Sequence, residues 1–272
     1  MLYGGARNRR ITISDLLAAK HSGDKWPMIT CYDALTAGIF DEAGFPALLV
    51  GDSAAMVVYG FDSTIPVTVS DLIPLVAAVE RGSSRAMVIA DLPFGSYQES
   101  PEQALATATE FMKRGNAHAV KLEGGAHMAE HVRTLTQAGI AVMGHIGLTP
   151  QSVHGMGGYR VQGRGDAAEQ LLRDAHALEN AGAFAIVLEV VPQELAERIT
   201  DAVAIPTIGI GAGASTDAQV IVWQDLLGLT PGTPAKFVKQ YADLRTSMKS
   251  AVDAWAVDVV NGNYPDASHS YN

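Results

Sequence analysis

The chain has 272 residues, 48% of them apolar and 18% charged, a composition that belongs to folded globular proteins rather than disordered ones. Its formal net charge of −10 argues against non-specific nucleic-acid binding, which needs a basic stripe, and disfavours anionic membrane surfaces for the same reason. Cys31 is the only cysteine, which excludes an intrachain disulfide and a cysteine-rich metal site.

The N-terminal MLYGGARNRR is basic but no signal-peptide core follows it. No later run reaches the length of a membrane-spanning helix, so no membrane role and a cytoplasmic location are expected. The segment ITISDLLAAK predicts a short helix over residues 12–20 that closes one mouth of the fold. Short apolar runs then recur: PMITCYD (27–33), ALLVGDS (47–53), AMVIADL (86–92) and HAVKLEG (118–124). They continue as IAVMGHIGL (140–148), FAIVLEV (184–190), IPTIGIGAG (205–213) and VIVWQDL (220–226). Helical patterns separate them, as in GDAAEQLLRDAHALENAG (165–182), and several helices end at Gly just before the next run. Ser100-Pro101-Glu102-Gln103 reads as a capped helix start. Alternating strands and helices predict an α/β fold, a (β/α)8 barrel, as one domain over 1–272. The last run, VIVWQDL, also fits a helix, and the tail 261–272 is polar and turn-rich.

Three carboxylates stand where apolar runs end: Asp52, Asp91 and Glu123. Strand alternation puts Met87, Ile89 and Asp91 on one face, and Ala119, Lys121 and Glu123 on another such face. Active sites of α/β barrels lie at the C-terminal ends of the strands, where these groups converge. Close carboxylates repel unless a cation compensates, and oxygen ligands suit Mg2+, Mn2+ or Ca2+ better than zinc. His145 and Glu189 also end apolar runs. Each residue has a plainer reading: a strand-end Asp can order a turn, and Lys121 can pair with Glu123. His145 can be a core histidine, and Glu189 can pair with an arginine. Two loops add polar groups. HGMGGYRVQGRG (154–165) carries Tyr159, Arg160, Gln162 and Arg164 and is placed to cover the mouth. IGIGAGAST (208–216) offers backbone N–H groups near an expected helix start, an arrangement that suits an anion.

With these residues in view, the chain resembles the ketopantoate hydroxymethyltransferase (3-methyl-2-oxobutanoate hydroxymethyltransferase) family of pantothenate biosynthesis. The resemblance rests on VGDSAAMVVYG (50–60), ADLPFGSY (90–97), VKLEGG (120–125) and GHIGLTPQ (144–151). GGYRVQGR (157–164), LEVVP (188–192) and IGIGAG (208–213) extend it across most of the barrel. It implies a TIM barrel of the phosphoenolpyruvate/pyruvate superfamily type. It implies transfer of a hydroxymethyl group from 5,10-methylenetetrahydrofolate to 3-methyl-2-oxobutanoate, giving 2-dehydropantoate and tetrahydrofolate. By the same resemblance Asp52, Asp91 and Glu123 hold Mg2+. Asp52, Ser53, Asp91, Lys121 and His145 bind the oxo acid, Glu189 accepts the proton, and the assembly is a homodecamer. Two other readings stay open: a metal-dependent 2-oxo-acid lyase or aldolase of the same superfamily, and a non-catalytic phosphate-binding barrel.

Overall fold

The computed structural model describes residues 2–4 and 9–271. Eight parallel strands close into a barrel in sequential order. They are β1 (Trp26–Thr30), β2 (Ala47–Val50), β3 (Met87–Asp91) and β4 (Ala119–Glu123). β5 (Val142–Gly147), β6 (Ala185–Glu189), β7 (Thr207–Ile210) and β8 (Ala218–Ile221) complete it. Every residue of β2, β3, β4 and β5 is buried, as expected of strands covered on both faces.

The lower barrel is apolar. Met28, Leu49, Met87, Ile89, Ala119, Met143, Ala185, Val187 and Ile208 share one cluster with Ile11, Leu16, Ala19 and Trp26. Ile11, Leu16 and Ala19 lie in or next to helix Ile13–Ser22, which closes the N-terminal mouth as the sequence predicts. Asp15 sets its start by accepting the Thr12 N–H and hydroxyl, each at 2.9 Å, and Gly23 ends it at φ 70°. The same capping logic starts helix Pro101–Arg114, where the Ser100 hydroxyl accepts the Gln103 N–H at 3.2 Å.

Two expectations are refined. The run VIVWQDL divides: β8 ends at Ile221 and a short helix, Trp223–Leu226, follows. Among the described residues no helix separates β7 from β8, so the glycine-rich 208–216 segment does not lead into a helix N-terminus. Gly211 and Gly213, at φ 64° and 80°, turn the chain directly into β8. Gln219 Nε2 donates to the Gly213 carbonyl at 2.8 Å within that turn.

The barrel lies in a compact unit that ends at Val222, and a second compact unit begins at Trp223. The second unit holds helix Leu244–Val260, none of whose residues is buried. Among the described residues no helix is long and apolar enough to cross a membrane.

Candidate active site

The side-chain alternation of β3, β4, β5 and β6 continues upward from the apolar layers into charge. Above Met87 and Ile89 comes Asp91, above Ala119 come Lys121 and Glu123, above Met143 comes His145, and above Ala185 and Val187 comes Glu189. Strand register sets their levels: Asp91 is paired with Lys121, and Glu123 with His145. Asp52 and Ser53 follow β2 in a tight turn, and the Asp52 N–H donates to Asp91 Oδ2 at 3.2 Å. The structure therefore brings every one of the sequence-derived site residues to the C-terminal end of the barrel.

Lys121 is the centre of charge. Its Nζ lies 2.8 Å from Asp91 Oδ1, 3.9 Å from Glu123 Oε1 and 3.2 Å from His145 Nδ1. The plainer reading paired it with Glu123; its close partner is Asp91. Burial alone would lower the Lys121 pKa, but Asp91, Glu123 and Asp52 outweigh it and hold the ammonium charged well above the ordinary range. His145 bridges two acids, its Nδ1 3.4 Å from Glu123 Oε1 and its Nε2 3.3 Å from Glu189 Oε2. Burial and Lys121 oppose a charge on the imidazole, yet Glu123 and Glu189 prevail and raise it to about 9.

The three carboxylates differ. Burial, then Asp91 and Glu123, push Asp52 well above the ordinary range. Asp91 is also raised by burial, against the pull of Lys121. Glu123 is lowered: burial opposes its charge, but His145, Lys121 and the Gln151 N–H more than offset it. Among the described residues no group of three or more His, Cys, Asp or Glu side chains forms a ready metal cage. The Lys121 ammonium supplies the nearest compensating charge. The donor set nonetheless suits a hard cation. It is buried carboxylate oxygen, and Asp91 Oδ1 and Glu123 Oε1 are faced by the ionic groups of Lys121 and His145 rather than tied into neutral hydrogen bonds.

Three residues of this site carried no role in the sequence reading. Gln151 is 4% exposed and donates from Nε2 to Asp52 Oδ2 at 3.0 Å. The Tyr97 hydroxyl donates to Gln151 Oε1 at 2.8 Å and accepts the Glu123 N–H at 3.1 Å. The Tyr32 hydroxyl is 2.8 Å from Ser53 Oγ. Tyr97 and Gln151 lie inside segments that carry the family resemblance, which was the available signal.

The chain around Glu189 is tightly constrained. Val190 has φ 50°, a conformation costly for a β-branched residue. Its N–H donates to Ile210 O at 2.8 Å, and its carbonyl accepts the Gln162 N–H of the 154–165 loop at 3.0 Å. On the other side, a Cβ added to Gly147 would meet Val191 Cγ2 at 2.7 Å and the Glu189 carbonyl closer still. Tyr159, in the same loop, is 59% exposed, and its phenol is raised first by partial burial and then by Glu189, Asp52 and Glu123.

A solved 2,3-dimethylmalate lyase, a member of the PEP mutase/isocitrate lyase superfamily, superposes with TM-score 0.59 at 18% identity, covering 95% of this chain and 91% of its own. That likeness establishes the shared barrel. The 3-methyl-2-oxobutanoate hydroxymethyltransferase of Thermobifida fusca is 62% identical, covering 99% of this chain and 96% of its own. The enzyme of the same name from Frankia alni is 62% identical, covering 97% of this chain and 88% of its own. The family model for ketopantoate hydroxymethyltransferase matches residues 10–267, and the chain belongs to that family.

Proposed function

We propose that this enzyme transfers a hydroxymethyl group from 5,10-methylenetetrahydrofolate to 3-methyl-2-oxobutanoate, the step that yields 2-dehydropantoate for pantothenate synthesis. One observation carries the mechanism. Lys121 and Glu189 sit on opposite sides of the His145 ring, with Nζ 3.2 Å from Nδ1 and Oε2 3.3 Å from Nε2. Cation and carboxylate are held apart instead of neutralising each other, so one can stabilise an oxyanion while the other takes a proton.

Glu189 removes the C3 proton of the oxo acid. Lys121, with Asp52, Ser53, Asp91 and His145 around it, holds the keto and carboxylate oxygens where negative charge develops. A Mg2+ ion held by Asp52, Asp91 and Glu123 would supply a Lewis acid to those same oxygens. The C3 carbon forms a bond to the methylene carbon of the folate, and one water supplies the hydroxyl oxygen. The C3 proton and one water proton balance the two folate nitrogens that lose the methylene bridge.

The reading includes a cytoplasmic location, which suits a single buried thiol, Cys31. It also includes a homodecamer. The exposed Met248, Val252, Trp255 and Val257 of helix Leu244–Val260 support self-association, since isolated chains rarely leave such a surface uncovered. The deciding assay follows labelled 3-methyl-2-oxobutanoate with Mg2+, with and without 5,10-methylenetetrahydrofolate and with and without chelator. Turnover that needs both folate and metal supports the reading. Folate-independent cleavage of a carbon–carbon bond would favour the lyase instead.

A further inference from the structure

We propose that Gln151 is a positioning residue that orients two carboxylates for the divalent cation. The proposal rests on the reading of Asp52, Asp91 and Glu123 as its ligands. Gln151 approaches that set with two separate donors. Its backbone N–H donates to Glu123 Oε2 at 3.1 Å, and its Nε2 donates to Asp52 Oδ2 at 3.0 Å. Each bond ties down one oxygen of a carboxylate and so fixes the direction of the other. Glu123 Oε1 is the clear case, buried and approached only at ion-pair range by Lys121 and His145. Asp91 lies outside this pattern, since its Oδ2 accepts the Asp52 N–H and its Oδ1 is paired with Lys121 at 2.8 Å.

The Gln151 amide cannot turn over. Its Nε2 also donates to the Leu92 carbonyl at 3.0 Å, an atom that can only accept. Its Oε1 accepts from the Tyr97 hydroxyl at 2.8 Å and from Gln98 Nε2 at 3.0 Å. Both amide protons and the amide oxygen are thus committed, and the donor is directed at Asp52. Tyr97 completes the frame, because its hydroxyl also accepts the Glu123 N–H. Carboxylates around a metal need such outer partners to fix their rotamers, and losing one typically weakens metal affinity about 10–100-fold.

The test is Mn2+ binding to the full-length protein without substrates, followed by loss of the free-ion electron paramagnetic resonance signal. Wild type, Asp52→Asn and Gln151→Met are compared. Gln151→Met keeps the volume and the backbone donor to Glu123 but removes the donor to Asp52. The expected result is binding by wild type, loss in Asp52→Asn, and affinity about tenfold weaker in Gln151→Met. In turnover, the Mg2+ concentration for half-maximal rate should rise by a larger factor than kcat falls, a split that general loss of structure does not produce. Wild-type Mn2+ affinity in Gln151→Met, with Asp52→Asn non-binding, overturns the positioning role and leaves the cation site standing. Equal affinity in Asp52→Asn and wild type removes the cation reading and the proposal with it. Should Gln151→Met not fold, Tyr97→Phe decides: weaker Mn2+ binding with an unchanged far-ultraviolet spectrum supports the proposal, and unchanged binding overturns it.

Discussion

Two buried aspartates at opposite ends of the barrel meet opposite fates. Asp41 lies at the N-terminal end, where helix Ala34–Glu42 reaches the entry to β3. Its oxygens accept the Ser84 N–H and hydroxyl, each at 3.0 Å, and the Arg85 N–H at 3.0 Å and Ala86 N–H at 2.6 Å. Burial opposes its charge, but these donors prevail and its pKa falls below the ordinary range. Asp52 lies at the C-terminal end, where its side chain receives Gln151 Nε2 and faces the charges of Asp91 and Glu123, and its pKa rises. Both are carboxylates taken from water. One is matched by four backbone and hydroxyl donors, and the other has the Gln151 amide set against two like charges. The contrast separates a face built for stability from a face built for chemistry.

The contrast can be broken or sharpened by mutation. The largest effect is expected at the chemical end: Glu189→Gln should slow exchange of the C3 proton of 3-methyl-2-oxobutanoate in deuterated water by about 10²–10⁴-fold. Exchange at the wild-type rate would remove Glu189 as the base. At the other end, Leu16→Ala should cost about 2–5 kcal/mol of unfolding free energy in denaturant titrations, since Leu16 is fully buried in the plug. Asp41→Asn should cost about 1–3 kcal/mol, because its amide turns a donor toward backbone N–H groups. The folded pKa of Asp41 is lowered, so its stabilisation is complete above the unfolded value of about 3.9 and is lost as pH falls through the folded value. The variant should therefore lose that part of the acid dependence. Smallest and opposite in sign, Asp52→Asn should stabilise chelator-treated protein by about 1 kcal/mol at neutral pH. Here the folded pKa is raised, so the penalty grows as pH climbs from the ordinary carboxylate range through the folded value, and the gain should vanish in acid. A destabilised Asp52→Asn would erase the distinction between the two ends.

Strand chemistry was the legible part of the sequence. The period of two in MVIAD and AVKLE suffices to place Asp91, Lys121 and Glu123 inward, and closure of the barrel does the rest. What alternation along one strand does not reveal is register between strands. That register sets Asp91 beside Lys121 and decides which acid the lysine pairs with. Gln151 was illegible for a related reason. Its partner Asp52 is 99 residues away, and a loop amide has no periodicity to mark it. The direct β7–β8 connection escaped because glycines that turn a chain into a helix and glycines that turn it into a strand look alike in sequence.

Gly147 gives a last consequence. Between β5 and β6 the missing side chain is itself the functional feature: the backbone at Glu189 occupies the space a Cβ would fill. Even alanine there would force the strands apart beside the proposed base, and a misplacement of about 1 Å can cost about 10²-fold in rate. The reach of Glu189 is thus set partly by an atom its neighbour lacks. In a library of variants Gly147 should be among the least replaceable positions of the barrel, although it has no side chain and carries no charge.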